Sequence, residues 1–300
     1  QPAKALKLYE DYQKKQGPSA KLAEVLAQVY LEKEDYDSAY EQFEILEAQC
    51  EDQLNTKLKM SLILIEKKIY DKAIVKLREI LKEVPDSDRA RFYLAAVYEQ
   101  IKDNDKAVSE YKRIPAESNY FNDSTVHAVY LMKSAKKLDD AVSLAQNAME
   151  KKPEEPSFRS LYASLLNENK KPGEAITVLE NAHKKFPNNT QVMFFMGTIY
   201  DSMGKKEKVL ETMKAVLEKE PLHVQALNYL AYTLAEEGQN LPEAEGYARQ
   251  AVSLEPKDAY ILDTLGWVLY KQDKVGEAIK YLETAHKVDH KVSIISEHLG

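Results

Sequence analysis

The chain of 300 residues is 44% hydrophobic and 30% charged, a balance that excludes an intrinsically disordered protein. Its net charge of −7 argues against a general nucleic-acid-binding surface, which requires a basic patch. The single cysteine, Cys50, excludes an internal disulfide and a cysteine-rich zinc site, and no apolar run is long enough for a membrane span.

Short motifs return along the chain with a fixed period. The sequence "YDKAI" at 70–74 is followed by "NDKAV" at 104–108 and "LDDAV" at 138–142. Steps of 34 residues from the alanine of this motif, with one step of 35, reach these anchor positions: Ala5, Ala39, Ala73, Ala107, Ala141, Ala175, Val209, Ala244 and Ala278. A period in this range is typical of a helical solenoid.

Each period predicts two helices joined by a short turn. Leu262, Leu265 and Leu269 share one face of a first helix, and Ala278 and Leu282 share one face of the second. The small anchor residues are expected where the two helices cross, because they let the backbones approach closely. Prolines that end the second helix follow twelve residues after the anchor in five periods: Pro85, Pro153, Pro187, Pro221 and Pro256.

At Gly197–Tyr200 and Leu265–Gly266, each followed by an anchor residue and a terminal proline or its substitute, the chain resembles the tetratricopeptide repeat family. The resemblance covers essentially the whole chain. It implies an all-α fold, a right-handed α-solenoid of antiparallel helix pairs that forms one superhelix over residues 1–300. We predict about eight complete repeats and a half repeat at each end, with the complete repeats at 20–53, 54–87, 88–121, 122–155, 156–189, 190–223, 224–258 and 259–292.

Three positions depart from the repeat pattern. Val209 replaces the anchor alanine, and its extra methyl groups predict overpacking at that helix crossing. Asn240 is an inserted residue that lengthens a turn. Pro115 comes four residues earlier in its repeat than the other terminal prolines, so the second helix is expected to stop near Ile114. We interpret residues 115–121 as a connector and a hinge.

The sequence contains no known catalytic pattern. It lacks a Gly-rich phosphate loop, a nucleophile elbow and a His-Glu-x-x-His motif. His286 and His290 are four residues apart, but a metal site needs a third ligand, which Asp289 does not supply on the same face. We therefore expect no catalytic residue, no metal ion and no cofactor, and we interpret Cys50 as structural or incidental.

The family resemblance implies that the first helices line a groove that receives a peptide or a folded protein partner. Helical spacing places a second stripe opposite the core leucines. The stripe contains the expected partner-binding residues Arg89, Tyr93, Phe194, Asn228, Tyr229, Tyr232, Tyr260, Asp263, Trp267 and Tyr270. We predict its centre at Asn228, Tyr232, Asp263 and Trp267. Alternatively, about half of the aromatic residues belong to the core between neighbouring first helices.

One known type of groove is not predicted. Co-chaperones that bind acidic tails use a Lys/Asn/Arg clamp for the terminal carboxylate, and Lys59 and Arg89 match two of its positions. Glu24 and Gln28, however, occupy the positions where Lys and Asn are expected. A carboxylate clamp is therefore not expected.

Residues 226–285, and "IPAESNYF" at 114–121, also resemble large tetratricopeptide proteins of proteobacteria, many of which are envelope lipoproteins. Some of these serve as adaptors for a carboxyl-terminal processing protease. The resemblance implies a non-enzymatic scaffold or adaptor that binds a protein or peptide. The net charge and the lack of a long apolar run predict that it binds no nucleic acid and has no membrane span in this segment. It favours the periplasm or an outer-membrane lipoprotein, although cytoplasmic relatives exist.

The alternative is the recognition module of a longer protein whose catalytic or effector domain lies outside these residues. Ile294, Ile295 and Leu299 near the end of the sequence are apolar, whereas a terminal repeat usually has a polar outer face. We therefore expect either a fragment or termini that are covered by further repeats or by another chain.

Overall fold

The structure is a computed structural model that describes residues 2–49 and 53–300, and these residues form eighteen α-helices and no strand. Cys50, which we interpreted as structural or incidental, lies outside the described residues. The helices are α1 (Pro2–Gln16), α2 (Ala20–Glu32), α3 (Tyr36–Gln49), α4 (Gln53–Glu66), α5 (Tyr70–Glu83), α6 (Asp88–Gln100), α7 (Asn104–Tyr111), α8 (Phe121–Ser134), α9 (Leu138–Lys151), α10 (Pro156–Glu168), α11 (Pro172–Lys185), α12 (Thr190–Ser202), α13 (Lys206–Lys219), α14 (Val224–Glu236), α15 (Leu241–Leu254), α16 (Ala259–Lys271), α17 (Val275–Val288) and α18 (Ser293–Leu299).

The helices divide into two compact units, residues 1–137 and residues 138–300. Unit 1 contains the helix pairs α2–α3, α4–α5 and α6–α7, together with α1 and α8. Unit 2 contains the pairs α10–α11, α12–α13, α14–α15 and α16–α17, together with α9 and α18. The predicted all-α fold of helix pairs is confirmed, because each pair buries its apolar faces against its neighbours within the unit.

The turn inside each repeat passes through the left-handed backbone region. Residues with a positive φ recur with the period of the sequence: Glu34, Lys68, Lys102, Lys136, Lys170, Gly204, Gly238 and Asp273. A single left-handed residue reverses the chain within a short turn. In the turn before α15, the inserted residue Asn240 is a second left-handed residue, with φ 40°. The insertion therefore lengthens only this turn.

Small residues lie where the helices of a pair meet. Ala73 and Ala175 are completely buried, as the anchor positions predict. A Cβ atom built on Gly266 would lie 2.6 Å from Leu282 Cγ and 3.2 Å from the Leu282 backbone nitrogen. The absence of a side chain at this position is therefore what allows α16 and α17 to approach so closely.

Val209 is also completely buried, in a core that includes Met213. In the same helix pair, a Cβ on Gly197 would lie 2.5 Å from Met213 Cε. The space that other repeats give to a first-helix Cβ is thus filled by the flexible end of Met213. The larger anchor side chain thus occurs in a repeat whose first helix has a glycine, as the Ala278 repeat also does at Gly266.

The second helices end as the prolines predict. Helices α5, α9, α11, α13 and α15 each end two residues before a proline. Proline has no backbone N–H and clashes with the preceding turn, so the helix cannot continue through it. This prediction is confirmed for all five repeats that carry the proline.

The predicted interruption before Pro115 is also confirmed, because α7 ends at Tyr111 and residues 112–120 are not helical. Two turns follow in this connector, closed by hydrogen bonds from Ser118 N–H to Pro115 O (3.1 Å) and from Phe121 N–H to Ser118 O (3.2 Å). Ile114 and Phe121 are both buried at its ends. Its action as a hinge stays a prediction.

Candidate partner-binding surface

Trp267 lies at the centre of an aromatic cluster in unit 2. Its indole stacks on the His298 ring, with centroids 4.1 Å apart, and on the Tyr270 ring at 5.3 Å. The indole N–H donates a 2.7 Å hydrogen bond to Glu236 Oε1. Trp267 therefore joins α14, α16 and α18, and part of its surface stays accessible. It packs against neighbouring helices and also belongs to the exposed surface.

Asp263, one turn before Trp267, is only 4% exposed. Its Oδ2 atom lies 2.8 Å from His298 Nδ1, and its Oδ1 atom has no hydrogen-bond partner among the described residues. His298 therefore separates Asp263 from solvent. The carboxylate can act on a partner only through His298 or after His298 moves.

Tyr232 is half-buried on α14, 6.2 Å from the His298 ring. Burial raises the pKa of its hydroxyl, and the negative charges of Glu236, Asp263, Asp201 and Glu297 raise it further. Asn228, one turn earlier, is partly buried, and its Oδ1 atom has no hydrogen-bond partner within the described ranges. The four residues predicted as the centre of the patch thus lie on two successive first helices of unit 2.

The remaining stripe residues of unit 2 divide into two groups. Tyr260 and Tyr270 are 55% and 50% exposed, so both offer aromatic surface. Phe194 and Tyr229 instead pack against the core of α12 and α14, with their rings 5.8 Å apart and edge to face. Burial, followed by the charge of Asp201, raises the pKa of the Tyr229 hydroxyl. The positions of Phe194 and Tyr229 agree with the alternative interpretation, in which some aromatic residues of the stripe belong to the core between neighbouring first helices.

A cleft of about 500 Å³ opens beside the cluster. The residues that line this Trp267 cleft are Tyr232, Glu236, Trp267, Tyr270, Val275, Ala278, Ile279, Leu282, Ile294, Glu297, His298, Leu299 and Gly300. One side is aromatic, the floor is aliphatic, and Glu236 and Glu297 are its carboxylates. No Lys or Arg occurs among these lining residues. An apolar cleft with a few polar groups is the usual form of a recognition site.

Arg89 and Tyr93, the two stripe residues of unit 1, lie on α6. Arg89 is exposed, and Tyr93 is half-buried with its ring edge to face on Phe92 at 5.9 Å. Beside Phe92, the Tyr111 hydroxyl donates to Glu99 Oε2 at 2.9 Å. This region of unit 1 is therefore a packed aromatic cluster with an exposed arginine near it.

Two exposed stripe residues of unit 1 were not identified from the sequence. Val126 and Tyr130 on α8 are 51% and 64% exposed. They lie one period of 34 residues after Phe92 and Ala96, so the repeat count alone indicates them. The stripe of first-helix residues therefore continues through α8.

The sequence matches the family model described as tetratricopeptide repeat over residues 64–128 and 166–231. These two segments are similar to tetratricopeptide repeats. A relative in Pseudomonas aeruginosa, named a TPR repeat-containing protein, is 39% identical over 90 residues, which is 29% of this chain. The match spans only 15% of that relative's length.

Two solved structures have similar folds. The chain aligns with one chain of the Cut9–Hcn1 hetero-tetramer of APC/C at a TM-score of 0.60 and 12% identity, over 97% of this chain and 57% of that one. It aligns with a tetratricopeptide repeat protein of Parabacteroides merdae at a TM-score of 0.51 and 11% identity, over 94% of this chain and 98% of that one. At such identities the similarity shows the fold, which is a solenoid of helical repeats.

Three of the residues considered for a carboxylate clamp lie close together in unit 1, and Arg89 is not among them. Glu24, Gln28 and Lys59 line a cleft of about 340 Å³ in unit 1. The Lys59 ammonium lies 5.5 Å from the centre of the Phe43 ring. The cleft thus combines one cation with one carboxylate, which is a poor match for a terminal carboxylate.

The histidine pair near the end of the repeats does not share a helical face. Helix α17 ends at Val288, so His290 lies beyond it, and His286 Nδ1 lies 3.5 Å from Ser296 Oγ. Over residues 2–49 and 53–300, no group of three or more His, Cys, Asp or Glu side chains is placed to hold a metal ion. Within the same ranges, no helix combines the length and the apolar character that crossing a membrane requires.

Proposed function

We propose that this chain is a protein-interaction scaffold whose partner binds to the first helices of unit 2, centred on Tyr232 and Trp267. Tetratricopeptide repeats are modules for protein–protein interaction, which supports the general role. The observation that carries the location is the Trp267 cleft of about 500 Å³ with its aromatic wall.

The composition of the cleft supports a binding role. Tyr and Trp offer large rigid apolar surfaces with a polar tip, and they dominate the energetics of protein interfaces. Trp267 is held in place by its hydrogen bond to Glu236 and by the stack on His298. A partner would therefore meet a preorganised ring, which lowers the entropic cost of binding.

The more specific role that we propose is that of a bacterial adaptor. Its support is the Pseudomonas aeruginosa relative and the resemblance of residues 226–285 to proteobacterial repeat proteins. A location in the periplasm or on an envelope lipoprotein stays a prediction from that resemblance. A second candidate is the recognition module of a longer protein, which the greater length of the matched relative favours.

Site-specific crosslinking tests the location of the partner. A photoreactive amino acid replaces Tyr270, which is 50% exposed in the cleft, or Val288, which is 51% exposed on α17 and outside the cleft lining. In cells of the source organism, we expect the probe at position 270 to capture a protein that the probe at 288 does not capture. Equal capture at both positions, or none, would contradict the proposed surface.

The affinity of the captured protein is then measured for the variant Trp267→Ala and for the control variant Val288→Ala. Loss of an aromatic anchor should weaken binding by more than about fivefold, because such side chains contribute upwards of ~1 kcal/mol at interfaces. Trp267 is the only tryptophan of the chain, so its fluorescence also reports directly on the site. A bound partner should protect it from quenching by iodide.

A further inference from the structure

The first helices around the Trp267 cleft carry few charges, and most of these are negative. Helices α12, α14 and α16 contain the carboxylates Asp201, Glu236 and Asp263, and their only cationic residue is Lys271. Glu297 on α18 adds a fourth carboxylate. Helices α14, α16 and α18 contribute most of the residues that line the cleft, whereas α12 contributes none, so the carboxylates Glu236 and Glu297 in that lining favour a cation.

Two of these four carboxylates, Glu236 and Glu297, have no ion-pair partner among the described residues, whereas Asp201 contacts Lys206 and Asp263 contacts His298. Asp201 is paired with Lys206 at 2.6 Å and therefore contributes least. Glu236 accepts a hydrogen bond from the neutral Trp267 indole, and within the described part of the chain neither Glu236 nor Glu297 forms an ion pair with Lys or Arg. Both line the cleft, so its surplus negative charge faces the space that a ligand would fill.

A buried acceptor beside the cleft provides an independent observation. Asp263 is 4% exposed, and its Oδ1 atom receives no hydrogen bond from the described residues, although Oδ2 contacts His298. Asn228 Oδ1, at the equivalent position of the preceding first helix, is likewise buried without a partner. Buried acceptors are normally satisfied, so these two atoms have capacity for a hydrogen-bond donor, which guanidinium and ammonium groups supply.

The aromatic rings at the cleft already bind a cation. The Lys271 ammonium lies 4.8 Å from the centre of the Trp267 ring. Tyr270, stacked on the same indole, keeps 50% of its surface exposed at the cleft. An electron-rich ring beside uncompensated carboxylates attracts ammonium and guanidinium groups by cation–π interaction.

We propose that the Trp267 cleft binds an arginine or lysine side chain of a partner polypeptide, with aliphatic residues of the same segment on its Val275–Ile279 floor. The proposal rests on the proposed function and specifies its partner: a segment that is basic and apolar, not acidic. Arginine suits the site better than lysine, because its planar group can stack on Tyr270 while donating to Glu236 or Glu297.

Three short capped peptides of leucine, alanine and glutamine test the charge requirement. They are identical except at two positions, which hold arginine, its uncharged isostere citrulline, or glutamate. Binding is followed by Trp267 fluorescence and by peptide anisotropy with the whole 300-residue chain. We expect the arginine peptide to bind about tenfold more tightly than the citrulline peptide, equivalent to ~1.4 kcal/mol, and the glutamate peptide to bind least.

A matched pair of variants locates the effect. Glu236→Gln removes the charge but keeps an acceptor for the Trp267 indole, whereas Glu237→Gln removes the same charge from the next residue, outside the cleft lining. Glu236→Gln should weaken the arginine peptide about fivefold and leave the citrulline peptide unchanged, because only a charged ligand senses the lost carboxylate. Glu237→Gln should leave both peptides within about twofold, because Glu237 does not line the cleft and solvent screens its charge from the ligand.

Equal affinity for arginine and citrulline, preference for glutamate, or no binding of any peptide would overturn the proposal. So would equal effects of the two glutamine variants. A second copy of the chain as the occupant would appear as self-association by sedimentation velocity that Trp267→Ala abolishes, which also overturns it. If crosslinking at position 270 still captures a partner in any of these cases, the interaction surface stands and only its preference for a cation is wrong.

Discussion

Phe92 in unit 1 and Trp267 in unit 2 both lie on a first helix within an aromatic cluster, but the carboxylates beside them are in different states. Glu99 accepts a hydrogen bond from Tyr111, and its Oε2 atom lies 3.0 Å from His127 Nδ1. Asp263 has one oxygen that accepts no hydrogen bond from the described residues. A carboxylate on a first helix therefore serves internal packing in unit 1, whereas a carboxylate on a first helix of unit 2 keeps an unused acceptor.

The short helix α7 and its connector account for much of this difference. Helix α7 ends at Tyr111, and the connector that follows places the Tyr120 ring beside Phe92, with ring centroids 5.0 Å apart. The Tyr111 and Phe92 ring centroids are 5.8 Å apart. Burial and the hydrogen bond to Glu99 raise the pKa of the Tyr111 hydroxyl far above its usual range, so it remains a donor. In unit 2 the second helices α11, α13, α15 and α17 each run for 14 residues, and no connector covers Trp267.

The largest effect is expected from a bulky residue at a helix crossing of unit 2. Ala278 is 1% exposed, so Ala278→Leu should destabilise unit 2 by about 3 kcal/mol through overpacking. Urea unfolding followed by Trp267 fluorescence measures it. Lys280→Leu places the same side chain on an exposed position of α17 and should change stability by less than about 0.5 kcal/mol. A neutral Ala278→Leu would mean that this residue does not lie at the crossing. Ala175, completely buried in α11, should respond like Ala278.

The two glycines of the crossings should differ from each other. Gly266→Ala places a Cβ against Leu282 Cγ and its backbone nitrogen, and should cost about 2 kcal/mol. Gly197→Ala meets only the flexible end of Met213, and a helical Gly→Ala change gains up to ~1 kcal/mol in propensity, so it should be close to neutral. Thermal unfolding of both variants measures the difference. Equal losses would show that Met213 is as rigid as Leu282.

Acid should weaken unit 2 through Glu245. The hydrogen bond from Lys274, assisted by those from Arg249 and Gln272, lowers the pKa of Glu245 from 4.5 to about 2. A lowered pKa in the folded state means that this contribution is fully present above pH 4.5 and is lost as the pH falls towards 2. Glu245→Gln should therefore reduce the dependence of the unfolding free energy on pH in that window. The control Glu283→Gln, at an exposed position, should not. An unchanged slope would show that Glu245 does not stabilise the fold.

The connector of unit 1 should open before the helices around it. We expect amide hydrogens of residues 112–120 to exchange faster than those of α6 and α8, as a hinge requires. Tyr111→Phe removes the donor to Glu99, so it should cost about 1 kcal/mol and raise the exchange rate further. Exchange near Trp267 should stay unchanged. Uniform protection through the connector would refute the hinge.

The smallest effect is expected in the turns, where the two units again differ. Lys102 in unit 1 has φ 65°, and the equivalent residue three turns later, in unit 2, is Gly204 with φ 70°. Lys102→Gly should stabilise the protein by about 0.5 kcal/mol, because the left-handed conformation strains a residue with a Cβ. The reverse change, Gly204→Lys, should destabilise it by about 1 kcal/mol. Chemical denaturation of both variants checks the sign.

Local rules were sufficient for most of the architecture. The period of 34 residues predicts helix pairs, because each repeat must place its apolar faces in the same way. Pro85 and Pro115 predict helix ends without reference to any other repeat, because proline acts on its own backbone. The exposed Tyr130 could also have been found by counting one more period.

The state of each stripe residue was decided by tertiary structure. Helical spacing puts Asp263 and Tyr270 on the same stripe, yet one is 4% exposed and the other 50%. Asp263 is covered because His298, 35 residues later, reaches it from α18. The sequence by itself determined the helices, their ends and the repeat, since these depend on neighbours along the chain. Only the packing of successive repeats decided which aromatic rings are buried and where the Trp267 cleft opens, since side chains from several helices must meet in space.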